Sequence, residues 1–442
     1  MLMKNKEQPI IVIGAGTAGL TAARQLQKMG KSVFVLEARD RLGGRIFSQK
    51  IGSEVYDLGA SWIHGIEKNP IWSIVQESKI QTAIFNYNES VYYHANGELF
   101  NPTEKLIFEK SLDYLFNKFK TIEQPKRFHH ALAALEMLLN EVEFHSFINN
   151  QFHIDENAVI KLQKMLHDFF NVIAEDPCAS DLEHLSAEFW KNEGFYLGDE
   201  VVFPQGYVQV IESISKDIQV LTNKVVQSID YSKDTVIVST VDGECFSASQ
   251  VLITVPLGVL KKNHIQFLPD LSQQKKQVIQ SLGFGTFNKL FVSFDQYFWK
   301  SAEYCQINNV YIHNQHRWLN FLDMSEIYQK PTLLFLFGGT SAIWLENVTC
   351  DEIWQEVQTS LKLIFGEIPQ PTQMFKTEWG KDQFAEGSFS YHAVEHTADK
   401  VEILKKPIKN KIFFAGEHLA QFGAGTVHGA YESGLDVVKL ML

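Results

Sequence analysis

Glycines at positions 14, 16 and 19, set between an apolar run and a helix-like run, and an acid at position 37 have a spacing that few chemistries require. Ile10-Ile11-Val12-Ile13 reads as a buried strand, and Gly14-Ala15-Gly16-Thr17-Ala18-Gly19-Leu20 as a turn opening a helix. Gly14 permits a tight bend, Gly16 lets backbone approach a pyrophosphate, and Gly19 lets the helix pack on the strand. The helix N-terminus, with Thr17 and Ala18 in its first turn, then aims N–H groups at the phosphates. A second strand-like run, Ser32 to Leu36, ends at Glu37, 18 residues after Gly19. A carboxylate there can hold both hydroxyls of an adenosine ribose and repels a further phosphate on it.

The next residues decide how far such a dinucleotide extends. Ala38-Arg39-Asp40-Arg41-Leu42-Gly43-Gly44-Arg45 adds a second glycine turn flanked by three arginines. Guanidinium groups bind phosphate in a bidentate manner, so this turn suits a cofactor lying extended across the domain better than it suits a solvated basic loop.

These groups need elements to hold them. Residues 9–50 read strand, glycine turn, helix, strand, turn. Residues 103–175 carry apolar positions at three- and four-residue spacing, as in ALAALEMLLNEV and AVIKLQKMLHDFFNVI, and read as helices. From 201 the pattern changes to short strand-like runs: VQVIES, DTVIVST, VLITV (stopped by Pro256), LFVSF and TLLFLF. DEIWQEVQTSLKLIF is an amphipathic helix with acids in its first turn. The last segment is a strand, KIFFAG, then a glycine-rich loop and a closing helix. A mixed α/β fold follows, with one domain interrupted by another.

The chain has 442 residues, too many for one core at about 150 residues per domain. With 45% hydrophobic and 21% charged residues it reads as soluble and globular, and its 33 Phe suit a large core around an apolar cavity. Fifty-two acids against 40 bases leave a net charge of −12, which disfavours nucleic acid and anionic membranes and attracts cationic ligands. Cys178, Cys245, Cys305 and Cys350 are far apart, without a CxxC pair or a neighbouring His cluster, so neither a disulfide framework nor a metal site is expected. The N-terminus runs straight into a strand with no secretory apolar region, no stretch has the ~18 apolar residues of a membrane span, and KLML is no lipidation signal. A cytoplasmic location is the expectation.

Taken in order, GAGTAGL, LEARDRLGGR and DLGASWIHG resemble the flavin-containing amine oxidase family, which includes monoamine and polyamine oxidases, L-amino-acid oxidases and lysine-specific histone demethylases. Further matches are Phe203-Pro204-Gln205-Gly206-Tyr207, Thr254-Val255-Pro256-Leu257-Gly258-Val259-Leu260 and Gly283-Phe284-Gly285-Thr286-Phe287-Asn288-Lys289. Trp379-Gly380-Lys381-Asp382-Gln383-Phe384, Gly387-Ser388-Phe389-Ser390-Tyr391, Phe414-Ala415-Gly416-Glu417-His418 and Gly425-Thr426-Val427-His428-Gly429-Ala430 complete the set. The helical stretch 85–195 matches only loosely. The resemblance implies a discontinuous Rossmann-type FAD-binding domain of residues 8–82, 202–260 and 405–442. A substrate-binding domain of mixed sheet and helices, 83–201 and 261–404, is interleaved with it.

The resemblance also implies roles. Gly59, Ala60, Ser61 and Trp62 would run along the isoalloxazine, and Glu417 would contact the ribityl-pyrophosphate region. Val225 would meet adenine through its backbone, although it also reads as an ordinary core strand residue. Pro256, Trp379, Gly416, Val427 and Ala430 fall around the cofactor with the first-segment residues. Lys289, by itself a plausible solvated lysine at a strand edge, corresponds to a lysine joined through water to flavin N5. His64 would stand beside the flavin, as in polyamine-oxidase-like members.

Thr426 has its own physical argument. Apolar residues at 427, 430, 431, 434, 435 and 438 define a helical face, so the helix starts near 426 with Thr426 as N-cap. Its positive end can then face the flavin edge where negative charge develops.

The implied activity is FAD-dependent oxidation of an amine, with hydride transfer to N5, imine hydrolysis and reduction of O2 to H2O2. The FAD is expected to be noncovalent, because no Cys lies between Gly387 and Gly416. Phe389 and Thr426 occupy the two positions that carry aromatic walls in many members. With Thr426 small, and with His64 and the negative charge, a polyamine is expected over a flat aromatic monoamine. Monoamine or L-amino-acid oxidation, a C–C desaturase and a non-catalytic flavin protein are the alternatives. A histone demethylase is disfavoured by the missing N-terminal domain and long helical insertion. The oligomeric state is open.

Overall fold

A computed structural model of the protein describes residues 8–85, 90–122, 130–188, 194–299, 309–313, 318–394 and 396–442. Cys305 and the first seven residues lie outside this set. At its centre is a five-stranded parallel sheet in the order Ile412–Phe414, Gln250–Ile253, Ile10–Ile13, Val33–Leu36, Val220–Leu221. Ile10–Ile13 is apolar throughout because both of its faces are covered. Ile10 and Val12 pack with Leu20, Ala23 and Leu26 of the helix Thr17–Lys28. Ile11 and Ile13 pack on the other side with Ile229, Val236 and Val238 of a second, four-stranded sheet.

A six-stranded sheet forms a separate layer, in the order Gln373–Lys376, Phe287–Ser293, Thr332–Gly338, Trp318–Asp323, Asn309–His313, Ser90–Tyr93. Along Phe287–Ser293 the side chains alternate between faces. Leu290 and Val292 join a core with Ala342, Leu345, Ile353 and Val357 of two helices, whereas Phe291 turns to Tyr56, Tyr328 and Leu334. Lys289 shares the Phe291 face, which aims an ammonium at the segment after Tyr56. The helices Pro102–Thr121, Ala131–Asn140, Val142–Phe152 and Glu156–Cys178 pack around a core of their own. None of the helices among the described residues is long and apolar enough to cross a membrane.

Two local expectations are corrected. VQVIES is not a strand but part of the helix Val208–Ser215. Its valines and isoleucine suit either period over so short a run, and the buried positions Val210, Ile211 and Ile214 follow helical spacing. The last helix, Val427–Met441, does start after Thr426, but its most buried face is rotated from the apolar stripe. Gly429, Ser433 and Gly434 are buried, while Val427, Ala430, Tyr431 and Leu435 are only partly so. The reason is close backbone approach to the first helix: a Cβ on Gly434 would stand 2.4 Å from the Ala18 carbonyl oxygen.

This contact yields a test of the fold. Gly434→Ala forces two backbones apart and is expected to cost about 1–3 kcal/mol of unfolding free energy. Asp436→Ala, at an exposed site on the same helix, should stay within about 0.5 kcal/mol. Urea midpoints of the two variants make the comparison, and equal midpoints would contradict the packing described.

Candidate active site

A cavity of about 920 Å³ lies where the parallel sheet, the six-stranded sheet and the last helix meet. Every site residue expected from the sequence lies on its wall except Gly19 and Arg41. Gly19 serves packing instead: a Cβ there would stand 2.1 Å from the Gly14 carbonyl oxygen and 2.7 Å from Thr254 Oγ1.

At one end are the groups expected to hold a dinucleotide. The helix Thr17–Lys28 begins at Gly16 with no side-chain cap and no acid in its first turn, leaving its leading N–H groups directed at the cavity. A Cβ on Gly16 would meet nothing nearer than the Gly43 carbonyl at 4.0 Å, so the approach to these N–H groups is open. Glu37 is oriented by the N–H groups of Ala15 (2.7 Å) and Arg39 (2.9 Å), one on each oxygen. Its remaining lone pairs suit two ribose hydroxyls. Val225 lies just before the strand Val226–Asp230 and on the cavity wall, and its carbonyl accepts from Val241 N. Its backbone can still offer an adenine its N–H and the second lone pair of that carbonyl. An open glycine cradle, an uncapped helix start and an oriented carboxylate fit an adenine dinucleotide.

The arginines divide their work. Arg39 pairs with Asp382 at 2.6 Å, and Arg45 donates to Glu417 at 2.8 Å and to the Ser388 carbonyl at 2.7 Å, both from the cavity wall. Arg41 is not on the wall. It lies 3.8 Å over the Phe47 ring and donates to the Gly44 carbonyl, bracing the turn. Glu417 is buried and takes hydrogen bonds from Arg45, Ser390 Oγ and Gly425 N. Burial pushes its carboxyl up, but Arg45, His418 and the Ser390 hydroxyl outweigh that and hold it below its ordinary value. Glu417 thus ties the Arg45 turn to the loop that precedes Thr426.

In the middle of the cavity, the Lys289 ammonium donates to the carbonyls of Asp57 (3.0 Å) and Gly59 (2.6 Å) and to Ser61 Oγ. Its Nζ stands 5.4 Å over the Trp62 ring. Burial pulls Lys289 down to about 8 against the opposing pull of the Asp57 carboxylate. Burial likewise pushes Asp57 up to about 6, despite hydrogen bonds from Ser48 and Tyr207 N and the charge of Lys289.

Asp57 and Asn288 are positioning residues to which sequence reasoning gave no role. Asn288 accepts from Trp379 N (2.9 Å) and Thr377 Oγ1, and donates to Glu346. Trp379 in turn donates from its indole to the Leu58 carbonyl at 2.9 Å. The only sequence signal was their place inside matched motifs.

Phe389 and Thr426 form adjoining parts of the wall: a Cβ on Gly425 would be 3.5 Å from the Phe389 ring. The Thr426 hydroxyl donates to the Gly423 carbonyl and accepts from Gly429 N, so it both caps its helix and leaves a small wall. His64 lies on the wall with Nδ1 3.2 Å from Glu200 Oε2. A further arm is lined by Tyr92 and Tyr311, stacked at 5.7 Å, with Leu112, Phe116, Phe169 and Ile173. All of these except Tyr311 belong to the stretch that motif matching could not resolve.

Comparison with known proteins agrees with this arrangement. Residues 17–442 match the family described as flavin containing amine oxidoreductase. The chain is 31% identical to a probable polyamine oxidase 4 of Arabidopsis thaliana, over 98% of its own length and 87% of the other. Polyamine oxidase 2 of the same plant is 30% identical over 98% and 88%. Human lysine-specific histone demethylase 2 is 31% identical over 96% of this chain, which spans only 52% of that protein. The chain belongs to the family of flavin-containing amine oxidoreductases.

Proposed function

We propose that the protein uses noncovalently held FAD to oxidise a long, flexible, cationic amine such as a polyamine, with O2 as electron acceptor. The observation that carries this is the continuity of one cavity, from the glycine cradle and Glu37, past Lys289 and Trp62, to a wall with Phe389 on one side and the small Thr426 on the other. The two polyamine oxidases matched over nearly their whole length support the same reading. In this proposal residues 8–82, 202–260 and 405–442, which supply all strands of the parallel sheet, form the cofactor domain. Residues 83–201 and 261–404, which supply the six-stranded sheet, form the substrate domain.

FAD bound there would supply the acceptor for a hydride from the amine α-carbon, leaving an imine that water hydrolyses and passing the electrons on to O2 as hydrogen peroxide. The protein's part is placement and proton handling. Ser61 Oγ has its own acceptors, the carbonyls of Asp57 (3.2 Å) and Gly59 (3.3 Å). The Lys289–Ser61 contact can therefore be exchanged for a water while both carbonyl bonds persist. The Asp57 carboxylate raises the affinity of Lys289 for its proton, opposing burial. Phe389 and Trp62 exclude water from the approach, and Thr426 leaves room for an extended chain.

A second reading rests on the arm lined by Tyr92, Tyr311, Phe116 and Phe169, which offers aromatic faces to an apolar amine. A peroxide-coupled assay of spermine, N-acetylspermine, putrescine, tyramine and phenylethylamine separates the two. The polyamine reading expects the highest kcat/KM among the first three. Tyramine and phenylethylamine ranking above every polyamine would move the assignment to the second.

Mild acid or heat should release yellow FAD into the supernatant, since no cysteine lies on the cavity wall among the described residues. Colour held in the precipitate would show a covalent link. Glu37→Ala removes charge-assisted hydrogen bonds of about 1.5–3 kcal/mol each. It is expected to weaken FAD affinity by at least about tenfold, read by titrating the apoprotein; an unchanged affinity would remove Glu37 from the ribose site.

Lys289→Met should retain FAD and slow flavin reduction or reoxidation on the order of 100-fold, as for a positioned proton-handling group. In Asp57→Asn the backbone carbonyl still holds Lys289, but the charge that raises its pKa is gone. The limb of the pH–rate profile assigned to Lys289 should therefore move to lower pH. A limb that stays in place, or moves to higher pH, would contradict the proposed pairing.

A further inference from the structure

The cavity wall carries the acids Glu37, Glu200 and Glu417 among the described residues. Glu37 is at the dinucleotide end, and Glu417 is neutralised by Arg45. Glu200 is on the substrate side, and its position follows from strand register. Trp62–Ile63 pairs antiparallel with Val201–Val202, Trp62 opposite Val202 and Ile63 opposite Val201. One step further along the ladder sets Glu200 opposite His64, which brings their side chains to the same face. The observed 3.2 Å between His64 Nδ1 and Glu200 Oε2 is the result. The Glu200 backbone is fixed from the other side, where its carbonyl accepts from Phe85 N at 2.9 Å.

The loop that leads to Glu200 is clamped over the same part of the cavity. His428 Nε2 donates to the Gly194 carbonyl at 2.7 Å, and Tyr196 donates to Glu432 at 2.8 Å. Gly194 lies so close to Gly423 that a Cβ would stand 2.3 Å from the Gly423 backbone. Phe195 covers His64 edge-on at 5.5 Å between ring centroids. The segment just before Glu200 is thereby held against the turn that leads into Thr426. Trp62 and His64 are two strand residues apart, about 7 Å, and Trp62 is the ring beside Lys289.

From this geometry we infer that Glu200, with His64, is a specificity-determining cation anchor. It binds the second, non-reacting ammonium of a diamine or polyamine while the amine to be oxidised lies between Lys289 and Phe389. The inference rests on the amine-oxidising reading above and narrows it to substrates with a second positive charge a few methylenes from the first. No covalent step involves Glu200.

The test uses the full-chain holoenzyme with two probes that share a carbon chain and differ by one terminal ammonium, cadaverine and pentylamine. Wild type is expected to favour cadaverine in kcat/KM. Glu200→Gln keeps the shape and a hydrogen bond to His64 but removes the charge. It should lower the cadaverine-to-pentylamine ratio about 10- to 100-fold, the loss falling in KM rather than kcat. Glu200→Asp should recover part of the ratio. A ratio left unchanged by Glu200→Gln, or a wild type with no preference for the diamine, overturns the inference. Calorimetric binding of cadaverine separates this from failure of the proposed activity. Affinity that falls in Glu200→Gln without turnover in the wild type would sustain the anchor and sink the oxidase. Affinity that is equal in both proteins would sink the anchor whatever the turnover.

Discussion

An ammonium buried without acceptors is too costly to persist, and Lys289 meets that constraint with two backbone carbonyls and a serine hydroxyl from residues 57–61. Because Lys289 sits on the six-stranded sheet and its acceptors lie on the segment leading to Trp62, this contact fixes one layer against the other. The neighbouring contacts repeat the pattern. Trp379 donates to Leu58, Asn288 holds Trp379, and the Asp57 carboxylate is held by Ser48 and Tyr207. Around Lys289 the wall is therefore built from backbone carbonyls held in place by buried polar side chains.

Local chemistry was legible in the sequence. The glycine turn, the acid that follows it and the threonine cap each act within a few residues, so spacing alone carries them. Their positions in the structure, Gly16 open to the cavity and Thr426 bonded to Gly429 N, follow the same rules. Long-range pairing was not legible. Nothing in Leu197-Gly198-Asp199-Glu200 marks Glu200 as the partner of His64, because that depends on the register between strands more than a hundred residues apart. The arm formed by Leu112, Phe116, Phe169 and Ile173 was hidden for a related reason: periodicity identified the helices but not which of their faces would border a cavity instead of a core.

The two local misreadings have different causes, an ambiguous period in one and the use of side-chain hydrophobicity as the measure of burial in the other. In Val208–Ser215 a β-branched run was long enough to suggest a strand and too short to show helical period. In Val427–Met441 the face pressed deepest into the protein is rich in glycine and serine. Small residues contribute little apolar area but let helices approach until backbone meets backbone. The contact between Gly434 and Ala18 holds the last helix against the first, and so sets where Thr426 and the start of that helix fall along the cavity.

The net charge of −12 bears on the ligand less directly than it first suggests. If surplus acids lined the cavity they would repel a pyrophosphate as strongly as they attracted an amine. Instead the acids on the wall are placed singly. Glu37 is oriented by backbone N–H groups, and Glu417 is matched by Arg45. Glu200 stands away from the glycine cradle, immediately before the short strand that pairs with Trp62–Ile63. Separating the negative groups in this way leaves one end of a continuous cavity compatible with an anionic cofactor, while Glu200 stands elsewhere on the wall. The surface excess can then act only at long range, where salt screens it beyond about 10 Å, so a ligand inside the cavity meets only the few charged groups on its wall.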